Sequence, residues 1–178
     1  MPDAKKLIQT LKEYGAHHAA GVAVSDIRFY PELRESCAMN RCGCYDTNWC
    51  CPPGCGDVPT LAQRARRFSH AVAFQYIGKL TDSFDVEGMF ASNEAFNNIA
   101  HKIQDYLQKE TPRSLVLGAG KCTLCKTCTY PDAPCRYPQR CIVSVEACGI
   151  DVSQLCDAAG LSYINGPNTV TNTGLVLY

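Results

Sequence analysis

The residues of this chain best suited to chemistry are its cysteines, 13 among 178 residues. They fall in two groups. Cys37, Cys42, Cys44, Cys50, Cys51 and Cys55 form the first. Cys122, Cys125, Cys128, Cys135, Cys141, Cys148 and Cys156 form the second, with none from Gly56 to Lys121. At about 7% the content is several-fold above that of ordinary soluble domains, which leaves disulfides, metal or thiol chemistry as its cause. An odd count cannot close into a full disulfide framework. The stretch from Met1 to His18 has no continuous apolar segment and no small-residue cleavage site. No secretory leader is read there, so a cytoplasmic location with reduced thiols is expected. Metal is the leading explanation.

The sharper signal is CTLCKTCTYPDAPC, which reads Cys122-x2-Cys125-x2-Cys128-x6-Cys135. A tetrahedral zinc knuckle takes two cysteines from one tight loop and two from elsewhere. Here a third arrives two residues after the second. Three close thiolates from one loop suit three iron corners of a cubane, which a fourth thiolate closes. Ferredoxin-type runs place the fourth cysteine far away and follow it directly with proline. Here Pro138 comes three positions after Cys135, and Cys141 is a rival fourth ligand. Gly118 and Gly120 allow close backbone approach, so that amide N–H groups could point at cluster sulfurs. Gly-Ala-Gly-Lys does not make a phosphate loop. That motif needs glycine where Leu115 stands and Ser or Thr where Cys122 stands.

The other constellation is CAMNRCGCYDTNWCCPPGCG, spaced Cys37-x4-Cys42, Cys42-x8-Cys51 and Cys51-x3-Cys55. No zinc-finger template fits it. Successive side chains of an extended segment diverge, so Cys50 and Cys51 are not both expected on one metal. Cys51 is preferred because Pro52-Pro53 fixes its exit. Cys37, Cys42 and Cys51 are then the ligands, with Cys55 the best fourth and Cys44 the next. Three thiolates would leave one iron open to a substrate, whereas four would make an electron-transfer site. Zinc or purely structural thiols are the plainer reading of both loops.

Ordinary secondary-structure periods surround these loops. Leu7, Ile8, Leu11 and Tyr14 recur at helical spacing. Residues 19–30 and 71–80 read as strands. Pro59 opens a short helix through Phe68. Phe96, Ile99, Ile103, Tyr106 and Leu107 form one stripe of a long helix over 85–110. Ser114 to Leu117 is a short buried strand. Residues 144–160 are helical and broken near Gly149, with Asp151 or Ser153 as a fresh cap. Residues 161–178 alternate as a closing hairpin turned at Gly166-Pro167-Asn168. The expected fold is a compact α+β domain over residues 1–178, one sheet with helices packed on it and cysteine loops at 37–55 and 122–141. Both loops follow strands, which allows them to lie at one end of the sheet.

Lys plus Arg and Asp plus Glu each count 17, a formal net charge of zero. That balance offers no broad footprint for nucleic acid or an anionic membrane. No apolar run approaches the ~18 residues of a membrane span. His17, His18, His70 and His101 lie away from the cysteines, and no thioredoxin-like CxxC setting is present. Glu146 and Asp151 are possible acid–base groups but read more simply as capping or solvated residues.

Taken together, Cys37-Ala-Met-Asn-Arg-Cys42-Gly, Trp49-Cys50-Cys51-Pro-Pro and Gly56 resemble a family of small predicted metal-binding proteins. The family is common in anaerobic bacteria and archaea and is classed as a domain of unknown function. Leu117-Gly-Ala-Gly120, the cysteine run to Cys135-x2-Pro138, Ser144-Val-Glu-Ala-Cys148-Gly-Ile-Asp-Val152 and the ending Asn168-Thr-Val through Gly174-Leu-Val-Leu177 fit the same pattern. The resemblance runs from about Asp26 onward. It carries over Cys37, Cys42 and Cys51, and Cys122, Cys125, Cys128 and Cys135, while Cys44, Cys50 and Cys141 look like additions. It implies cluster binding and anaerobic redox metabolism without naming a reaction. The expectation is an iron–sulfur protein with two [4Fe–4S] clusters, a relay or small reductase. Its partner would be a redox protein or a small-molecule substrate, with no nucleic-acid or membrane partner.

Overall fold

The structure, a computed structural model, describes residues 3–111 and 113–178. Its centre is a four-stranded antiparallel sheet in the order β1-β2-β4-β3. The strands are β1 (His18–Val22), β2 (Ala71–Lys79), β3 (Leu115–Leu117) and β4 (Thr169–Leu177). The helices are α1 (Ala4–Glu13), α2 (Arg34–Ala38), α3 (Val58–Ala65), α4 (Val86–Glu110) and α5 (Val152–Ala159). This is the α+β class that the residue periods imply.

Strand alternation sorts the core into two layers. On β2, Val72 and Phe74 face one side while Ala71 and Ala73 face the other. On β4, Val176 joins the first pair, and Leu175 and Leu177 join the second. The first face packs against α1 and α4 through Leu7, Leu11, Phe96, Ile99 and Ile103. The second receives Ala65 of α3, Leu155 of α5 and the Val145–Ile150 segment. Helix starts are capped as their sequences suggest. Asp57 accepts from Thr60 N at 2.7 Å, with Pro59 in the first turn. Asp85 accepts from Gly88 N at 2.8 Å. Asp151, rather than Ser153, caps α5 by accepting from Gln154 N at 3.1 Å. The break before it falls at Gly149, which has φ +76° and lies against Val58 and the Tyr30 carbonyl.

Three expectations change. The strand expected over 19–30 ends at Val22, because its partner β2 ends at Ala71. Beyond that point the chain turns in a short 3-10 helix at Val24–Asp26. The closing hairpin does not form. β4 pairs with β2 along its whole length and with β3 only at Leu175–Leu177, and residues 161–168 join neither edge. Residues 161–168 instead make a loop whose Ser162 carbonyl accepts from Gln75 and Asn165. Third, the two loops do not leave one end of the sheet. β1 and β3 run in opposite senses, so their following segments depart oppositely. They meet beside β3, where the chain after the second loop returns to form a parallel bridge between Gly118 and Ser144.

Phe74 and Phe96 stack at 5.2 Å with neither ring exposed. Phe96→Ala is expected to cost about 3–5 kcal/mol, read as a lowered urea midpoint. Phe84, 88% exposed, is the control. Phe84→Ala is expected to stay within about 0.5 kcal/mol of the parent.

Candidate metal centre

The first loop begins inside α2, where Arg34 and Cys37 are three residues apart and share a helix face. Asn48, 6% exposed, then organises the turn. Its amide donates to the Cys44 carbonyl at 3.4 Å, and its side-chain oxygen accepts from Cys50 N at 3.0 Å. Cys55 N donates to the Cys51 carbonyl at 3.0 Å, which winds these two cysteines onto one side of a single turn. Cys51 is buried and Cys42 exposed, with Cys37, Cys44 and Cys55 between.

Electrostatics shows which sulfurs are neighbours. Burial is the chief cause that raises the Cys37 thiol, opposed by Arg34 and reinforced by Cys42 and Glu146. Cys51 is pushed up to about 11, by burial first and then by Cys44, Cys55 and Cys42, against a hydrogen bond from Asn48. Cys55 is raised by burial, lowered by Arg34 and raised by Cys37. Cys37, Cys42, Cys51 and Cys55 are thus linked through their charges, each sulfur feeling the next, without converging on one metal-ion position among the described residues. Cys44 belongs to the same ring of thiols: it is the first charge neighbour of Cys51, and is itself raised by burial and by Cys42 and lowered by Lys121.

Arg34 faces this ring. One guanidinium nitrogen donates to Cys55 Sγ at 3.4 Å and to the Gly56 carbonyl at 3.0 Å. Its Nε is buried without a partner among the described residues. A buried donor on a cation, left unpaired beside Cys55 and Cys37, suits an anionic group there. Glu146 lines a cavity of about 430 Å³ with Cys37 and Cys42 and is exposed there. Asp151 also lines this cavity while acting as the α5 cap.

In the second loop the Cys122 thiol is raised by burial first, and further by Cys135, Cys125 and Cys128. The Leu124 backbone N–H opposes this by hydrogen bonding to the Cys122 sulfur. Cys122 therefore has the other three as electrostatic neighbours. Gly118 plays no such donor part, since its N–H bonds the Val143 carbonyl at 2.9 Å. Thr129 Oγ1 and Arg136 close the loop by donating to Pro134 O and Thr127 O, each at 2.8 Å. Arg140 moors its end to α4 through Asp105 at 3.2 Å.

The two loops form one unit. Trp49 Nε1 donates to Ala133 O at 3.1 Å, and its ring meets Tyr130 edge-on at 4.9 Å. Tyr130 Oη donates to Asp46 Oδ1 at 2.6 Å. Gly54 packs so tightly here that a Cβ would lie 2.7 Å from the Asn48 carbonyl and 2.9 Å from the Tyr130 ring. A disulfide joins Cys50 to Cys141, with Cα atoms 6.3 Å apart. The expectation of reduced thiols throughout therefore changes, and eleven cysteines are free. The sequence could not signal this bond, since 91 residues separate its ends. It removes Cys141 as a rival fourth ligand and leaves Cys50, beside Cys51, outside the ring. Arg34, Asn48 and Leu124 were likewise invisible, because an arginine, an asparagine and a backbone amide carry no metal-ligand pattern.

Among the described residues, no three Cys, His, Asp or Glu side chains converge on one metal-ion position. Nor is any helix among them long and apolar enough to cross a membrane. The fold and the two thiol-rich loops define a cysteine-rich α+β protein of a metal-binding class. A family model described as predicted metal-binding protein (DUF2284) matches residues 20–178, and the chain belongs to that family. No curated protein and no solved structure matches it.

Cys148 and Cys156 are both buried, Cys148 with Cys55 as its nearest charge neighbour and Cys156 against Gln75 and Thr173. Burial pushes the Cys148 thiol up to about 12 and raises Cys156, so both stay protonated and unreactive at neutral pH. In folded, metal-free protein at about pH 8, iodoacetamide is expected to modify exposed Cys42 first. Cys148 and Cys156 should react only after unfolding, as mapped by peptide mass. Alkylation of Cys148 at the rate of Cys42 would contradict this packing.

Proposed function

We propose that the chain holds two [4Fe–4S] clusters and moves electrons in redox metabolism. Cys37, Cys42, Cys51 and Cys55 would hold the first, and Cys122, Cys125, Cys128 and Cys135 the second. The observation that carries this reading is the docking of the two thiol-rich loops into one folded unit, through Trp49, Tyr130 and Asp46. The unpaired Arg34 Nε beside the first set supports it, because a thiolate-bound cubane is an anion. When bound, each cluster would supply one-electron transfer. Cys55 is taken as the fourth thiol because its N–H bonds the Cys51 carbonyl and its sulfur accepts from Arg34, and a fourth thiolate would make a closed relay.

The remaining roles belong to the chain. Arg34 offsets negative charge at Cys55, and the Leu124 N–H does so at Cys122. Such donors to sulfur raise a cluster potential. Trp49 and Tyr130 hold the two loops together by an edge-on ring contact. A one-electron carrier protein would dock through a small transient contact.

Protein purified without oxygen should contain about eight irons and eight acid-labile sulfides per chain. Cys37→Ala and Cys125→Ala should each keep about four, with the folded far-ultraviolet spectrum retained. A colourless protein containing zinc would replace this reading with a structural metal module. Loss of all iron in either variant would mean a single shared site.

A further inference from the structure

We propose that the Cys50–Cys141 disulfide is a redox-active centre that reduces low-molecular-weight disulfides carrying carboxylate or amide ends. The bond lies between the two thiol sets. Cys141 lines a cavity of about 540 Å³ together with Cys55 of the first set. On another side it lines a cavity of about 450 Å³ together with Cys135 of the second. Trp49 and Pro138 border both cavities. Neither Cys50 nor Cys141 is needed to complete a set of four.

The two sulfurs are unequally placed. Cys141 is partly exposed and borders both cavities, whereas Cys50 is 2% exposed and borders neither. That asymmetry assigns attack to Cys141 and resolution to Cys50, since exchange needs access of the attacking thiolate to a substrate sulfur. The larger cavity is also lined by Arg64, Gln104, Gln108 and Gln139. A guanidinium and three amides can bind the carboxylate and amide ends of a substrate such as cystine.

The centre is first reduced by a one-electron donor of the reduced-ferredoxin class acting twice. The S–S bond takes up two electrons and two protons and becomes two thiols. Cys141 thiolate then attacks a substrate disulfide, forming a mixed disulfide and releasing one thiolate, which takes up the proton Cys141 lost. Cys50 thiolate attacks the Cys141 sulfur, restores the protein disulfide and releases the second thiolate, which takes up the proton of Cys50. The sum is one substrate disulfide, two electrons and two protons giving two thiols. The placement between the sets, as the point of electron delivery, rests on the function proposed above.

The test follows the linked peptide containing Cys50 and Cys141 by mass spectrometry after quenching and alkylation, with iron and sulfide measured on the same sample. Reduced methyl viologen should convert the linked peptide to two alkylated peptides. Cystine added after removal of the viologen should restore it, with two cysteines formed per cystine consumed. Reduced Cys50→Ser should trap a cysteinyl adduct on Cys141. A linked peptide that survives viologen in protein with its full iron would make the bond purely structural and overturn the proposal, leaving the cluster reading intact. So would a dithiol that cystine does not reoxidise. Cycling by dithiothreitol and cystine in a chain without iron would uphold the disulfide centre and refute the clusters.

Discussion

Trp49, Tyr130 and the Cys50–Cys141 bond hold the two cysteine loops against each other, and the rest of the thiol-rich region takes its geometry from that seam. Neither loop has a core of its own. The first is tied internally by Asn48, and the second by Thr129 and Arg136, through a few polar bonds each. Loop backbone with so few partners is weakly ordered in isolation. Seating the half-buried Trp49 against Ala133 and Tyr130 and closing Tyr130 Oη onto Asp46 joins the two segments into one surface. Closing a chain segment of 91 residues by a disulfide contributes about 4–5 kcal/mol in the loop-entropy model. In a dithiol state that contribution is absent, and the aromatic contact and the close approach at Gly54 would have to keep the loops together.

Charge is the second constraint on this region. Gathering thiols out of water raises their pKa values, since burial disfavours the thiolate. Cys37, Cys51, Cys55 and Cys122 all move that way, with burial as the leading cause in every case. In the metal-free chain they are therefore neutral thiols at physiological pH. On the proposed reading, metal replaces those protons, so assembly releases protons and becomes more favourable as pH rises. Arg34 and the Leu124 N–H lower the cost of the negative charge that remains. Arg34 acts on Cys55, Cys37 and Cys148, and the Leu124 N–H on Cys122.

The sequence made some of this legible and hid the rest for physical reasons. Helix α4 was readable to within a residue because a long apolar stripe and an Asp85 cap state its length and its start locally. The start of α3 was likewise readable from Pro59, but the helix ends at Ala65 rather than at the expected Phe68. The end of β1 at Val22 was not readable, because it is set by where β2 runs out. The missing hairpin is the same kind of failure. Residues 161–168 alternate like a strand, but the Ser162 carbonyl and Asn165 are tied up in bonds to Gln75, to each other and to Thr171, which hold the segment as a loop. For the thiols, spacing alone grouped Cys122, Cys125, Cys128 and Cys135, because local sequence brings them together. The preference for Cys51 over Cys50 came from a local argument about backbone direction, and the structure does direct the two sulfurs to different partners. The Cys50–Cys141 pairing could not be read, because it depends on how the loops dock.

That docking follows from sheet topology in a way that local sequence does not reveal. β1 and β3 lie at opposite edges of the sheet and point in opposite directions, so simple extension of each would carry the cysteine loops apart. Two features reverse this. Tyr30 N donates to the Gly149 carbonyl at 2.6 Å, which draws the chain after β1 across the second face of the sheet. The Gly118–Ser144 bridge returns the chain beside β3, so both stems of the second loop stay at that edge. Val145 N donates to the Gly118 carbonyl at 2.9 Å, which fixes the return and sets the position of Glu146 and Cys148. Gly149, at the turn that follows, contacts both Tyr30 and Val58, so the segment leading to the first loop and the segment leaving the second are held at one point. Two thiol sets on opposite stems of the sheet thus become neighbours through the same short stretch, residues 144–150. A side chain at Gly149 would strike Val58 and the Tyr30 carbonyl while resisting a positive φ. The separation of the two thiol sets is therefore governed as much by this cysteine-poor turn as by the cysteines themselves.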